Sequence, residues 1–207
     1  MLVLACGGGT GEDNGYSRTI DSNWMNTSST GSNTPEEQKS ANTAEGFWTG
    51  PLSSGFDLNL AVLENGEAWG VYRSGSTIFG ALHGSADGKG TALTGNGTGY
   101  YFPSDSATAV TVTGTVNQKA SIAAQASTGA TMSLQYSVAY DQPASLEKLA
   151  GLYEISGRSF DGRFAVDRLT IDSAGAFELV DGACIASGSL APHNSGKNVF
   201  TLNVNFS

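Results

Sequence analysis

The sequence predicts an all-β fold, an antiparallel meander that closes into a barrel or packs as a sandwich. Three observations carry this. Apolar residues alternate with polar ones over short stretches, as at Phe56, Leu58, Leu60 and Val62, which marks strands with one buried face. Gly, Asn and Ser punctuate those stretches, with 28 glycines in 207 residues, and these are the residues of tight turns. Helical character is confined to a short stretch after Pro143.

The chain begins Leu2-Val3-Leu4-Ala5-Cys6 and continues Gly7-Gly8-Gly9. This resembles the lipobox of bacterial lipoproteins, in which the cysteine receives the lipid. The resemblance implies lipidation at Cys6, with residues 1–6 a residual signal and lipobox. A basic region and most of an apolar core are missing before it, so the start is expected to be truncated. Gly7, where an Asp is typical of inner-membrane retention, implies the outer membrane. No stretch approaches the roughly 20 apolar residues of a spanning helix, so lipid is the expected attachment to the membrane. Residues 7–45 hold few sizeable apolar side chains, Tyr16, Ile20, Trp24 and Met25. Such a segment buries too little to offset its chain entropy and reads as a flexible tether.

Residues 46–142 read as a barrel-like unit. Phe56 to Val71 is its organising hairpin, with Asn65-Gly66 expected to form a type I′ turn between two apolar runs. Thr77 to Gly84 follows as a strand ended by Ser85-Ala86-Asp87-Gly88. Ala92 to Phe102 carries Tyr100-Tyr101-Phe102 before Pro103, and Thr108 to Val116 alternates Val110, Val112, Gly114 and Val116. Ala120 to Ala126 and Met132 to Tyr140 complete the unit. Residues 143–150 form a short helical connector, with Ser145 placed to cap Leu146–Leu149.

Residues 151–207 make a second β unit that echoes the first, packed with it as one domain or standing beside it. Gly151-Leu152-Tyr153 corresponds to Gly46-Phe47-Trp48, and Val166 to Phe177 corresponds to Leu58 to Trp69. Ala186-Ser187-Gly188-Ser189 corresponds to Leu82-His83-Gly84-Ser85. The chain stops inside an alternating run, Phe200 to Phe206, so the C-terminus is also expected to be cut short, which leaves the partner of Cys184 open.

The formal net charge is −9, which argues against nucleic acid because nothing neutralises a run of phosphates. His83 and His193 lack a Cys, Asp or Glu at metal-ligand spacing, so no metal or other cofactor is expected. No G-x-S-x-G elbow or phosphate loop is present. Asp161, Asp167, Asp172 and Asp181 are spread over turns and strand ends, and Asp172-Ser173-Ala174-Gly175 lacks the alternating ligands of a calcium loop. No catalytic residue is assigned, and the chain is read as a non-enzyme.

Two features bear on binding. Gly46-x-Trp48 is similar to the G-x-W signature of lipocalins, where the Trp packs across the barrel's closed end. Tyr100, Tyr101 and Phe102 are adjacent on a strand, so at least one points out of the core and marks a candidate binding surface. Taken together, the chain resembles lipoproteins of Gram-negative bacteria, and more distantly the small lipoprotein barrels in surface receptors for host proteins. The expected function is non-enzymatic binding or adhesion at the envelope, to an unknown protein. The alternative is a lipocalin-like carrier of a small apolar ligand. A carrier needs an open interior, which Trp48, Trp69, Phe79 and Tyr136 would fill if they all pointed inward.

Overall fold

A computed structural model describes residues 42–158, 164–181 and 184–206. The fold is nearly all β. A closed antiparallel barrel is followed by a separate sheet, with the helix α1 (Leu146–Leu149) between them. The barrel strands are β1 (Gly46–Pro51), β2 (Asp57–Val62), β3 (Glu67–Ser74), β4 (Thr77–Lys89), β5 (Ala92–Tyr101), β6 (Ser106–Asn117), β7 (Ser121–Ala126) and β8 (Thr131–Ser137). Each pairs with the next, and β8 returns to β1 through Trp48↔Tyr136 and Thr49↔Gln135. Closure removes the unpaired edges that an open meander would expose.

The period-two pattern decides which side chains enter the barrel. Trp48, Leu58, Val62, Ala68, Leu93, Val116, Ile122 and Leu134 all point inward and are buried. Each large one contributes roughly 1.5–3 kcal/mol by leaving water. Trp48 is 1% exposed, and its buried Nε1–H donates to the Ala44 carbonyl at 2.8 Å, so the indole carries no unmet polar group. Tyr136 packs edge-on against it at 5.3 Å.

Three expectations are revised. The turn between β2 and β3 is longer than two residues: Leu63 N–H donates to Glu67 O at 2.8 Å and Gly66 N–H to Leu63 O at 2.9 Å. Gly66 alone takes a positive φ, +89°, whereas a type I′ turn needs two such residues. Ser85–Gly88 does not end its strand, because β4 continues to Lys89 and pairs onward with β5. Those residues close one barrel end: Asn42 Oδ1 accepts from Gly88 N–H at 2.7 Å and Asn42 Nδ2 donates to Ala86 O at 2.9 Å. Ordered packing therefore starts before Gly46, with Ala44 fully buried.

The second sheet contains β9 (Gly151–Arg158), β10 (Phe164–Ile171), β11 (Ala176–Asp181), β12 (Cys184–Pro192) and β13 (Phe200–Phe206), in meander order. It repeats β1–β5 pair for pair. Gly46↔Val62 is matched by Gly151↔Ile171, and Trp48↔Leu60 by Tyr153↔Leu169. Ala68↔Gly84 is matched by Phe177↔Gly188, so Phe177 takes the place of the buried Ala68 and not, as the sequence echo had it, of Trp69. Ala86 N–H donates to Gly66 O at 2.8 Å, and Leu190 N–H to Gly175 O at 2.7 Å. Tyr153 Oη even donates to Leu149 O, four residues back, at 2.7 Å, as Trp48 does to Ala44. Ser145 stands at the N-cap of α1 without a side-chain capping bond.

A polar clasp ties the loop after β12 to the barrel. Asp141 accepts from Lys119 Nζ at 2.9 Å, Lys197 Nζ at 3.0 Å and Tyr136 Oη at 2.9 Å. Asn198 N–H donates to Tyr140 O at 3.1 Å. These three donors hold the Asp141 carboxyl well below the usual carboxylate range. Lys197 is raised in turn, chiefly by its bond to Asp141. Burial first, then the bond to Asp141, raises the Tyr136 phenol.

Candidate binding surface on the outer wall

The barrel's outer face is set by the residues between the core positions. One outward row crosses five strand pairs as Thr49, Asn59, Val71, Ala81, Tyr100 and Ala107. The next row holds Phe47, Ala61, Trp69 and His83. These two rows give the wall an apolar strip instead of the polar outer face that alternation usually leaves.

Two concavities open along that strip. The first, about 640 Å³, is lined by Phe47, Ala61, Trp69, Val71 and Ala81, with Thr49, Asn59 and Ser137 as its polar members. The second, about 420 Å³, is lined by Ala81, Tyr100, Tyr101, Phe102 and Asp105 together with Ala107. Ala81 borders both, so the two form one continuous surface.

Trp69 is the largest exposed side chain here, at 53%. His83 stacks on its ring at 3.9 Å between centroids. Glu67 accepts from the indole Nε1–H at 2.8 Å, and its carboxylate lies 3.4 Å from His83 Nε2. His83 and Glu67 hold the indole in place, so its rotamer entropy is spent before any partner arrives. Thr49 Oγ1 donates to Asn59 Oδ1 at 3.0 Å, which pre-orients the polar border.

Among the residues singled out from sequence, Tyr100 faces out at 44% exposure. Tyr101 is half-buried on the inner parity and stacks on Tyr72 at 6.5 Å. Phe102 opens the 3-10 turn Phe102–Ser104. Tyr72 Oη donates to the Tyr100 carbonyl and so pins the backbone that presents Tyr100. Burial, then the neighbouring Tyr101, raises the Tyr72 phenol above its ordinary range. Cys6 lies outside the described residues. His83 sits in mid-strand instead of before a turn, and His193 Nδ1 accepts from Ser195 N–H at 3.2 Å. Asp172 Oδ1 accepts from Ala174 and Ala176 N–H, a turn-forming role.

From sequence Trp69 was weighed only as a filler of the interior, and its outward place follows from the length of the β2–β3 turn. Five residues, Leu63 to Glu67, separate Val62 from Ala68, and the Leu63–Glu67 bond pairs Val62 with Ala68. Ala68 therefore inherits the buried side, and Trp69 must face water. Phe79 stands against Phe56 at 5.2 Å, so of the four aromatics weighed as fillers, Trp48 and Tyr136 hold the packed interior.

Compared with protein-family models, curated proteins and solved structures, the chain matches none.

Proposed function

We propose that this chain is a lipid-anchored protein of the Gram-negative outer membrane with a non-enzymatic binding or adhesion role. It engages a protein partner through the strip from Trp69 to Tyr100. The observation that carries this reading is the pairing of two exposed aromatics on one apolar wall that both border Ala81. Trp69 and Tyr100 stand on strands two apart and two residues out of register, roughly 12 Å in the sheet. Rigid amphipathic aromatics around a shallow apolar floor are what protein interfaces use as anchors. The lipid anchor rests on Leu4-Ala5-Cys6 and the Gly-rich run after it. The ionisable groups Asp141, Lys119, Lys197 and Asp172 are engaged in structural bonds, which supports the non-enzymatic reading. An apolar-ligand carrier would need room where Trp48, Leu58, Ile122 and Leu134 are packed.

The test is site-specific photo-crosslinking in cells. A benzophenone side chain at Val71, in the strip, is expected to trap one defined protein. The same group at Thr113, outward on β6 and outside both concavities, is expected to trap none. Equal yields from the two positions, or none from Val71, would overturn the proposal.

A further inference from the structure

We propose that the second concavity of the outer wall takes an arginine side chain of the protein partner, its guanidinium held by Tyr100, Tyr101, Phe102 and the Asp105 carboxylate. This rests on the reading of that wall as a protein-binding surface and adds the chemistry that the partner must present there.

The two concavities differ in charge. The first has Thr49, Asn59 and Ser137 as its polar members and no charged residue in its lining. The second has three aromatics and one charged residue, Asp105, with no cation in its lining. Asp105 is exposed, and among the described residues its carboxylate has no hydrogen bond or ion pair. Arg73 does not compensate it, because it directs Nη1 to Gly75 O at 3.2 Å, within its own hairpin.

The turn that carries Asp105 is preformed. Tyr100↔Ala107 and Tyr101↔Ser106 end the ladder of β5 and β6, and Asp105 closes the connection between them. It has φ +47° and ψ +44°, the left-handed region, which Asp and Asn enter more readily than other side chains. Its N–H donates to Phe102 O at 3.3 Å, and the Ser104 and Ser106 hydroxyls bond to each other at 2.8 Å. The Tyr72 hydroxyl bonds to the Tyr100 carbonyl from outside this hairpin. Rings and carboxylate are therefore set side by side before a partner arrives.

A guanidinium fits this pairing. It is a planar cation that stacks on ring faces and meets a carboxylate through its N–H fork. An apolar side chain would satisfy the rings but strip water from a carboxylate left without a partner. An acidic side chain would meet like charge, and the formal net charge of −9 steers approach in the same sense.

The probe is N-acetyl-argininamide, added to the full chain and followed by amide chemical shifts. Its uncharged isostere N-acetyl-citrullinamide is the control. The arginine compound is expected to shift the Tyr101, Phe102 and Ala107 amides saturably, with roughly threefold or more tighter binding than the citrulline compound. Asp105→Asn keeps a residue that accepts the left-handed turn and removes the charge. It is expected to weaken the arginine compound by roughly threefold or more and to lower the yield of the Val71 crosslink in cells. Equal binding of the two compounds, or undiminished arginine binding in Asp105→Asn, overturns the proposal. So do equal shifts at the amides around the exposed carboxylates Asp172 and Glu178. A Val71 crosslink that forms undiminished in Asp105→Asn overturns it too, while the binding wall stands. No Val71 crosslink in the native chain removes both readings.

Discussion

Two tryptophans on strands two apart have opposite fates, and that contrast can be measured. Trp48 is sealed among Leu58, Val62 and Leu134, whereas Trp69 stands in water against His83. Trp48→Ala removes a large core side chain and leaves a cavity, so it should cost about 3–5 kcal/mol in denaturant unfolding. Trp69→Ala should stay within about 0.5 kcal/mol, as surface substitutions do. At Asp141 the prediction concerns pH. Its carboxyl titrates lower in the folded chain than unfolded, so its contribution is complete above the unfolded value of about 3.9 and is lost as pH falls through the depressed folded value. Lys197 is shifted upward, so its contribution is complete below about 10.4 and is lost as pH rises past the folded value. The exchange of the Asn198 amide, corrected for intrinsic rate, should therefore stay slow across neutral pH and quicken in strong acid. Asp141→Asn should quicken it at pH 7 and flatten that acid response. The clasp was invisible in the sequence, because Lys119 and Lys197 lie 22 and 56 residues from Asp141.

Strands were legible wherever one face alternates, and turns were less so. Val110 to Val116 reads directly as a half-buried strand and is one. Ser85–Gly88 misled because it is built of turn residues. In fact Gly88 is where the chain before β1 crosses β4, and an added Cβ there would sit 2.5 Å from Ala44 N. The hairpin turns allow a graded test of the repeat. Gly66 and Gly175 share φ values of +89° and +88°, which L side chains rarely adopt. A Cβ at Gly175 would also come within 2.3 Å of the Leu190 carbonyl, whereas at Gly66 the nearest atom is the Asp87 side chain at 3.0 Å. Gly175→Ala should cost at least about 1 kcal/mol and more than Gly66→Ala, as read by unfolding midpoints. Equal costs would mean that the Leu190 contact does not constrain the turn.

At the scale of the molecule, one meander is used twice, closed in the barrel and open in the second sheet. The alternation of short strands revealed the class and the echo. It did not reveal closure, which depends on β8 reaching β1 across the whole unit, or the face on which Trp69 lands. The barrel packs Trp48, Leu58, Ile122 and Leu134 inside, and the proposed recognition surface lies on its outer wall. Native mass spectrometry of the full chain, purified from cells without harsh solvent, tests that division most directly. The account predicts a mass with no non-covalent apolar adduct, because Trp48, Leu58, Ile122 and Leu134 occupy the interior. A stoichiometric apolar adduct that persists in Trp69→Ala would place a ligand inside the barrel and contradict it.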